Sequence, residues 1–229
     1  MKRLASLIII IIALIGFSAS AQVEGNSASG KYKAPDMAKI QKIAQSNKYQ
    51  ELMKRYLSND PTLTLDEYHQ VYFGFIYQKG YRAYDKADFS NELVNSLYFK
   101  ENLTRRQCEL IIDCAEKTLD ADPFNLQQIN YLIYAYRTMK KVHLADYWQT
   151  RLNNVLCTIL STGTGKSPEE AWHVIDIGHE YALIQSMNNN YIIEKSEYIQ
   201  PHFDLIKIKR NGENSPMGFY FNIKYLGNN

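Results

Sequence analysis

From residue 36 to about residue 160 the apolar positions of this chain recur every three or four residues, the spacing that lines one face of an α-helix. Ile40, Ile43 and Ala44, followed by Leu52 and Tyr56, mark a first helical region that Asp60-Pro61 ends. The next helix spans about 65–78, carries Tyr68, Val71, Tyr72 and Phe75 on adjoining faces, and is closed by Lys79-Gly80. Helices near 105–120, 124–139 and 142–160 follow, the middle one entered through Asp122-Pro123. Beyond Ser161 the period changes. Ser167-Pro168-Glu169-Glu170 has a capping serine, a proline at the first helical position and a glutamate at the third, which starts a short helix. Residues 174–177, 191–199, 203–210 and 218–226 then read as strands, with a polar turn over 211–216 joining the last two. Asp204, Ile206 and Ile208 alternate with Phe203, Leu205, Lys207 and Lys209, while Phe219, Phe221, Ile223 and Tyr225 alternate with Tyr220, Asn222 and Lys224. The pattern predicts an α+β fold in which antiparallel helical hairpins over 36–165 pack with a small antiparallel sheet in an α+β subdomain over 166–229.

The first 35 residues stand outside this pattern. Lys2 and Arg3 precede an apolar run over 4–17, and Ala19-Ser20-Ala21 supplies small residues for cleavage, so residues 1–21 read as an export signal. The run falls short of the roughly 20 residues a spanning helix needs. Residues 22–35 are small and polar, a flexible lead-in. The expectation is an exported protein, periplasmic or secreted, with no membrane span after cleavage.

Removing the signal lowers the 26 basic groups to 24, equal to the 24 acidic ones. A near-neutral chain whose Lys and Arg cluster only in pairs such as Arg105-Arg106 and Lys140-Lys141 is a poor partner for nucleic acid. The hydrophobic content of 45% is enough for a real core. Cys108, Cys114 and Cys157 are an odd number in a compartment that permits disulfides. Cys108 and Cys114 are roughly 240° of rotation apart on one helix and cannot bridge each other. A bond from either to Cys157 is conceivable, but the preferred reading is three small buried hydrophobes.

Gly163-Thr164-Gly165-Lys166-Ser167 ends like a phosphate-binding loop but has Leu160 where that motif needs its first glycine, and a helix where it needs a strand. It reads instead as a flexible turn between subdomains. His173, Asp176, His179 and Glu180 are the densest group of acid/base or metal-ligating residue types. On one strand His173 and His179 would lie roughly 20 Å apart, with Gly178 breaking the element between them; a helix would align His173, Asp176 and Glu180, but Val174, Ile175 and Ile177 disfavour it. No metal or cofactor is implied, and His69, His143 and His202 have no partner assignable from sequence.

Ala115 and Pro123, followed by Ile129, Leu132, Ile133, Tyr136 and Ala145, stand at offsets that resemble one tetratricopeptide unit, and Phe73, Gly74 and Tyr77 resemble an earlier partial copy. The likeness has an insertion around 89–103 and Ile133 where that family usually has a small residue. In its register Gln127, Asn130, Tyr134, Arg137 and Thr138 point to the concave side of a helix pair, a mixture suited to a peptide backbone or carboxylate. A solvated helix face is the competing reading. Further, His173-Val174-Ile175, His179-Glu180-Tyr181 and Phe219-Tyr220-Phe221-Asn222-Ile223, with Tyr72, Gly74, Tyr77 and Tyr81, are similar to an uncharacterised family of exported bacterial proteins, domain of unknown function 4919. That resemblance implies export and one unit of helices plus sheet, and transfers no catalytic residue.

Two functions follow as expectations. The first is a non-enzymatic protein binding a peptide or protein through Gln127, Asn130, Tyr134 and Arg137. The second is a small envelope hydrolase with His173, His179 or Glu180 at the seam between helices and sheet.

Overall fold

The computed structural model describes residues 32–84, 89, 92–98, 100–187, 191–209 and 216–227, so the signal-like segment and the expected 211–216 turn, apart from Pro216, lie outside the described residues. Helices α1 (Met37–Ala44), α2 (Asn47–Leu57), α3 (Leu65–Gly74), α4 (Glu92–Leu97), α5 (Arg105–Ala121), α6 (Leu126–Thr138) and α7 (Val142–Leu160) precede β1 (Trp172–His173). Helix α8 (Ile177–Ser186) follows, then β2 (Ile193–Ile199), β3 (Phe203–Ile208) and β4 (Gly218–Asn222).

Local chemistry sets most of these starts. Asp36 accepts a hydrogen bond from the Lys39 N–H, and Asn125 accepts one from the Gln128 N–H. Thr64 with Glu67 and Thr104 with Gln107 form capping boxes at α3 and α5, each satisfying backbone donors that the first turn leaves open. Helix α3 is buried all round from Tyr68 to Gly74, which makes it the central helix, packed by α1, α2 and α7. Arg151 of α7 ties α2 to α7: it donates to the Leu57 carbonyl, to Asn59 and to Tyr147, and lies 4.4 Å over the Trp148 ring.

The α+β reading holds, and the sheet is mixed rather than wholly antiparallel. Its strand order is β1-β4-β3-β2, with β2/β3 and β3/β4 antiparallel and the two-residue β1 parallel to β4. The register pairs Asp204 with Phe221 and Ile206 with Phe219, so one face of β3 and β4 meets the helices. Glu197 on the other face pairs with Lys207 at 2.7 Å. Residues from Ile40 to Leu226, among them Tyr72, Phe124, Ile159, Trp172, Leu183 and Phe221, form one core cluster that runs across the 165/166 border. A satellite cluster of Val94, Leu97, Leu103, Cys108, Ile111, Cys114, Tyr131 and Ala135 lies where α4 packs on α5. The expected insertion around 89–103 therefore carries a helix. All three cysteines are free, and burial raises the Cys108 and Cys157 thiols.

Four segments depart from the sequence reading. The strand expected over 174–177 is absent: β1 ends at His173, and Asp176 caps α8 by accepting the Gly178 N–H at 2.6 Å. Gly178 sits in the first turn, where backbone hydrogen bonds are not yet intrahelical, so it does not break the helix. The last strand stops at Asn222, whose side chain accepts the Lys224 N–H and turns the chain into a 3-10 helix over Lys224–Gly227. Of the lead-in, Pro35 is buried and the Lys33 N–H bonds the Ser161 carbonyl.

The segment expected to be a flexible turn, 163–167, is tied down instead. The Thr164 and Gly165 N–H groups both donate to the Glu170 carbonyl, the Trp172 indole donates to the Gly163 carbonyl, and the Tyr220 N–H donates to the Gly165 carbonyl. The Thr164 and Gly165 N–H groups thus face Glu170 and are not turned to a phosphate. Gly165 has φ +68°, and a Cβ there would meet the Trp172 ring at 2.6 Å. Gly165→Ala is therefore expected to cost about 2–3 kcal/mol through backbone strain and displacement of the indole. Urea unfolding followed by tryptophan fluorescence measures it, and a loss below about 0.5 kcal/mol would show that the loop relaxes freely.

Candidate functional site

Helix α6 positions the stripe expected to bind. Gln127, Asn130, Tyr134 and Arg137 fall within one narrow sector of the helix and span roughly 15 Å. Gln127, Tyr134 and Arg137 are exposed and Asn130 is half-buried. Each exposed side chain is held by a neighbour: Gln127 Nε2 donates to Tyr131 Oη at 2.7 Å, Tyr134 Oη to the Lys100 carbonyl at 3.2 Å, and Arg137 Nη2 to Gln149 Oε1 at 3.0 Å. Tyr131 in turn stacks on Tyr98 with ring centres 3.7 Å apart. The stripe is flanked on one side by Lys100 and on the other by Gln149 of α7. Its side chains are ordered before any partner arrives, which lowers the entropy a partner must overcome.

At the C-terminal end of the stripe lies a cleft of about 190 Å³ lined by Leu103, Arg105, Cys108, Thr138, Met139 and Lys141. Cys108 and Leu103 are buried and form apolar wall, while Arg105 and Lys141 are exposed cations at the rim. Glu109 accepts from Arg105 Nε at 3.0 Å, engaging one of five guanidinium donors. The Lys141 ammonium lies 5.9 Å over the Tyr136 ring. The cleft was not legible in the sequence, because its walls come from two separate segments, 103–108 and 138–141.

The seam residues fall into two separate environments. His179 is buried; its Nε2–H donates to the Phe124 carbonyl at 2.8 Å, and Tyr72 Oη lies 2.6 Å from its Nδ1. A carbonyl can only accept, so Nε2 carries the proton, and burial keeps the Tyr72 phenol protonated to donate to Nδ1. Both ring nitrogens are thus engaged in the core. Asp176 serves as the α8 cap beside it. Glu180, on the next position, is fully buried, and neither of its carboxyl oxygens has a hydrogen-bond partner among the described residues. Burial, and secondarily the Asp204 carboxyl facing it from β3, push Glu180 up to about 9, so it is neutral at pH 7.

His173 stands apart, its ring 5.8 Å from that of Tyr225. Burial first, then the nearby His202, His69 and Lys224, lowers it to about 4. The structure therefore does not bring His173 together with His179 and Glu180. Among the described residues, no group of three or more His, Cys, Asp or Glu is arranged to hold a metal ion.

One contact was invisible to spacing: His69 Nε2 lies 2.7 Å from Ser161 Oγ, 92 positions away in sequence. Ser161 Oγ also donates to the Thr158 carbonyl at 2.7 Å. A hydroxyl has one proton, so with it on Thr158 the histidine donates to the serine, opposite to the polarity that activates a nucleophile. Asp66, one turn before His69, is engaged by Lys39 at 2.8 Å and Gln70 at 2.8 Å. The pair fastens the end of α7 to α3.

No curated protein and no solved structure matches this chain. The family described as Domain of unknown function (DUF4919) matches residues 37–229, which takes in every helix and strand from α1 to β4. The chain belongs to that family.

Proposed function

We propose that this is an exported, non-enzymatic protein, periplasmic or secreted, that binds a peptide or protein segment along α6. The observation that carries the reading is the exposed stripe of Gln127, Tyr134 and Arg137, each fixed by an intramolecular hydrogen bond and leading into a basic-rimmed cleft. Exposed tyrosine and arginine held in place supply area and donors at low entropic cost. Export is supported by the signal-like residues 1–21, and no described helix is long and apolar enough to cross a membrane. The tetratricopeptide-like spacing of α5, α6 and α7 supports the same use of a helix-pair face.

The seam hydrolase has less support, since His179 is engaged at both nitrogens and Glu180 is sealed from solvent. The test is affinity capture from envelope extract with the mature protein and with Tyr134→Ala plus Arg137→Ala. The double variant is expected to lose its partners by at least about tenfold, as two anchor truncations imply. The same set of captured partners at unchanged yield would sink the proposed face.

A further inference from the structure

Resting on that reading, we infer that the cleft at the end of α6 receives the C-terminus of the bound peptide, an apolar last residue with its free carboxylate. Its shape sets the size of the occupant. A volume of about 190 Å³ holds one side chain and a carboxylate, not a helix or a strand. The lining divides by chemistry in the same way. Leu103 and Met139 offer apolar surface to a side chain, with Cys108 buried behind them, and Arg105 and Lys141 offer two cations to an anion. Helix ends bring both signs of partial charge to the cleft, because α5 and α7 begin and α6 ends there, so dipoles alone do not decide it. The side chains decide it, with Arg106 and Lys140 adjoining the two rim cations in sequence.

The connection to the stripe gives the occupant its direction. Tyr134 and Thr138 are one turn apart on α6, and Thr138 lines the cleft while Tyr134 stands exposed beside the Lys100 carbonyl. A chain lying along Gln127, Asn130 and Tyr134 reaches the cleft last. Its backbone polar groups would meet the amides and hydroxyl of the stripe, and its terminal carboxylate would meet Arg105 and Lys141. The buried Cys108 and Leu103 close the cleft behind it, which favours an end of a chain over a continuing segment.

The experiment uses N-terminally labelled octapeptide pools, randomised internally, and reads binding to the mature protein by fluorescence polarisation up to about 1 mM. One pool ends in leucine with a free carboxylate, the second in leucine amide, and the third in glutamate amide. The free-acid pool is expected to bind at least about tenfold more tightly than either amide pool, as loss of a charge-assisted pair implies. Arg105→Ala plus Lys141→Ala should abolish that preference, and Arg105→Lys plus Lys141→Arg should keep most of it. Equal binding of the acid and amide pools overturns the inference, as does binding of the glutamate-amide pool equal to that of the acid pool or no binding of any pool. The reading of the stripe fails separately. If Tyr134→Ala plus Arg137→Ala leaves every affinity unchanged while the acid preference persists, the cleft stands without the α6 groove.

Discussion

Glu180→Gln is expected to stabilise the protein at pH 8 by on the order of 4 kcal/mol, raising its melting temperature by on the order of 10 °C, and to have almost no effect at pH 4.5. The direction follows from where the proton sits. Glu180 is fully buried, its two oxygens have no hydrogen-bond partner among the described residues, and its carboxyl is pushed from 4.5 up to about 9. Below pH 4.5 the folded and unfolded chains both hold the proton, and the group is neutral in the balance. Between 4.5 and about 9 the unfolded chain releases it and gains hydration while the folded chain keeps it. Each pH unit in that window therefore costs the folded state about 1.4 kcal/mol. Glutamine has the shape of the protonated acid without the ionisable proton, so it removes the slope. Asp204, raised in the same direction by its own burial, is the nearest charge on the sheet side, and Tyr181 lies beside both carboxyls. Asp204→Asn should lower the Glu180 pKa and shallow the slope without abolishing it. Thermal melts of the three proteins from pH 4.5 to 8.5 measure this. Parallel curves for wild type and Glu180→Gln would mean that Glu180 is hydrated and ionised in the folded state.

The helices were legible because their signals are local. Apolar residues at helical spacing and the breaks at Asp60-Pro61 and Lys79-Gly80 all lie within a few residues of the elements they define. The α6 stripe was legible for the same reason, since its membership depends only on helical spacing. The region after β1 was misread because Val174, Ile175 and Ile177 form a β-branched run that straddles an element boundary. Asp176 is the cap that divides it, and Gly178 drew attention as a breaker where it occupies a first turn. What His179 and Glu180 do could not be read at all. Tyr72 lies 107 residues from His179 and Phe124 lies 55, and no periodicity relates them. The cleft had the same obstacle, with Leu103 and Arg105 entering from one connection and Lys141 from another. Interactions within one turn of helix or one strand pair leave a pattern in sequence; those assembled by tertiary packing leave only residue types that fit several roles.

His179→Ala is expected to destabilise the protein by about 3–5 kcal/mol at pH 7. The imidazole bridges Tyr72 of α3 to the Phe124 carbonyl at the entry of α6, and it lies in the aromatic layer where the Tyr72 and Phe124 rings meet edge to face at 5.4 Å. Truncation strands a buried phenol and a buried carbonyl and leaves a cavity the size of the ring, three costs that act together. Tyr72 holds a second bond in the same chain, accepting the Ile175 N–H at 3.4 Å just before α8 begins, so helices α3, α6 and α8 share one polar contact line through the core. Tyr72→Phe should cost less, about 1–2 kcal/mol, because the ring still fills its space and His179 keeps its bond to Phe124. The discriminating measurement is the double variant, with unfolding in urea followed by tryptophan fluorescence. If the hydroxyl and the imidazole act as one unit, the double variant loses at least about 1 kcal/mol less than the two single losses combined, since the second truncation removes a group already stranded by the first. Losses that add within about 0.5 kcal/mol would mean that the two side chains contribute independently, and would remove the reason for assigning His179 to the core instead of to chemistry.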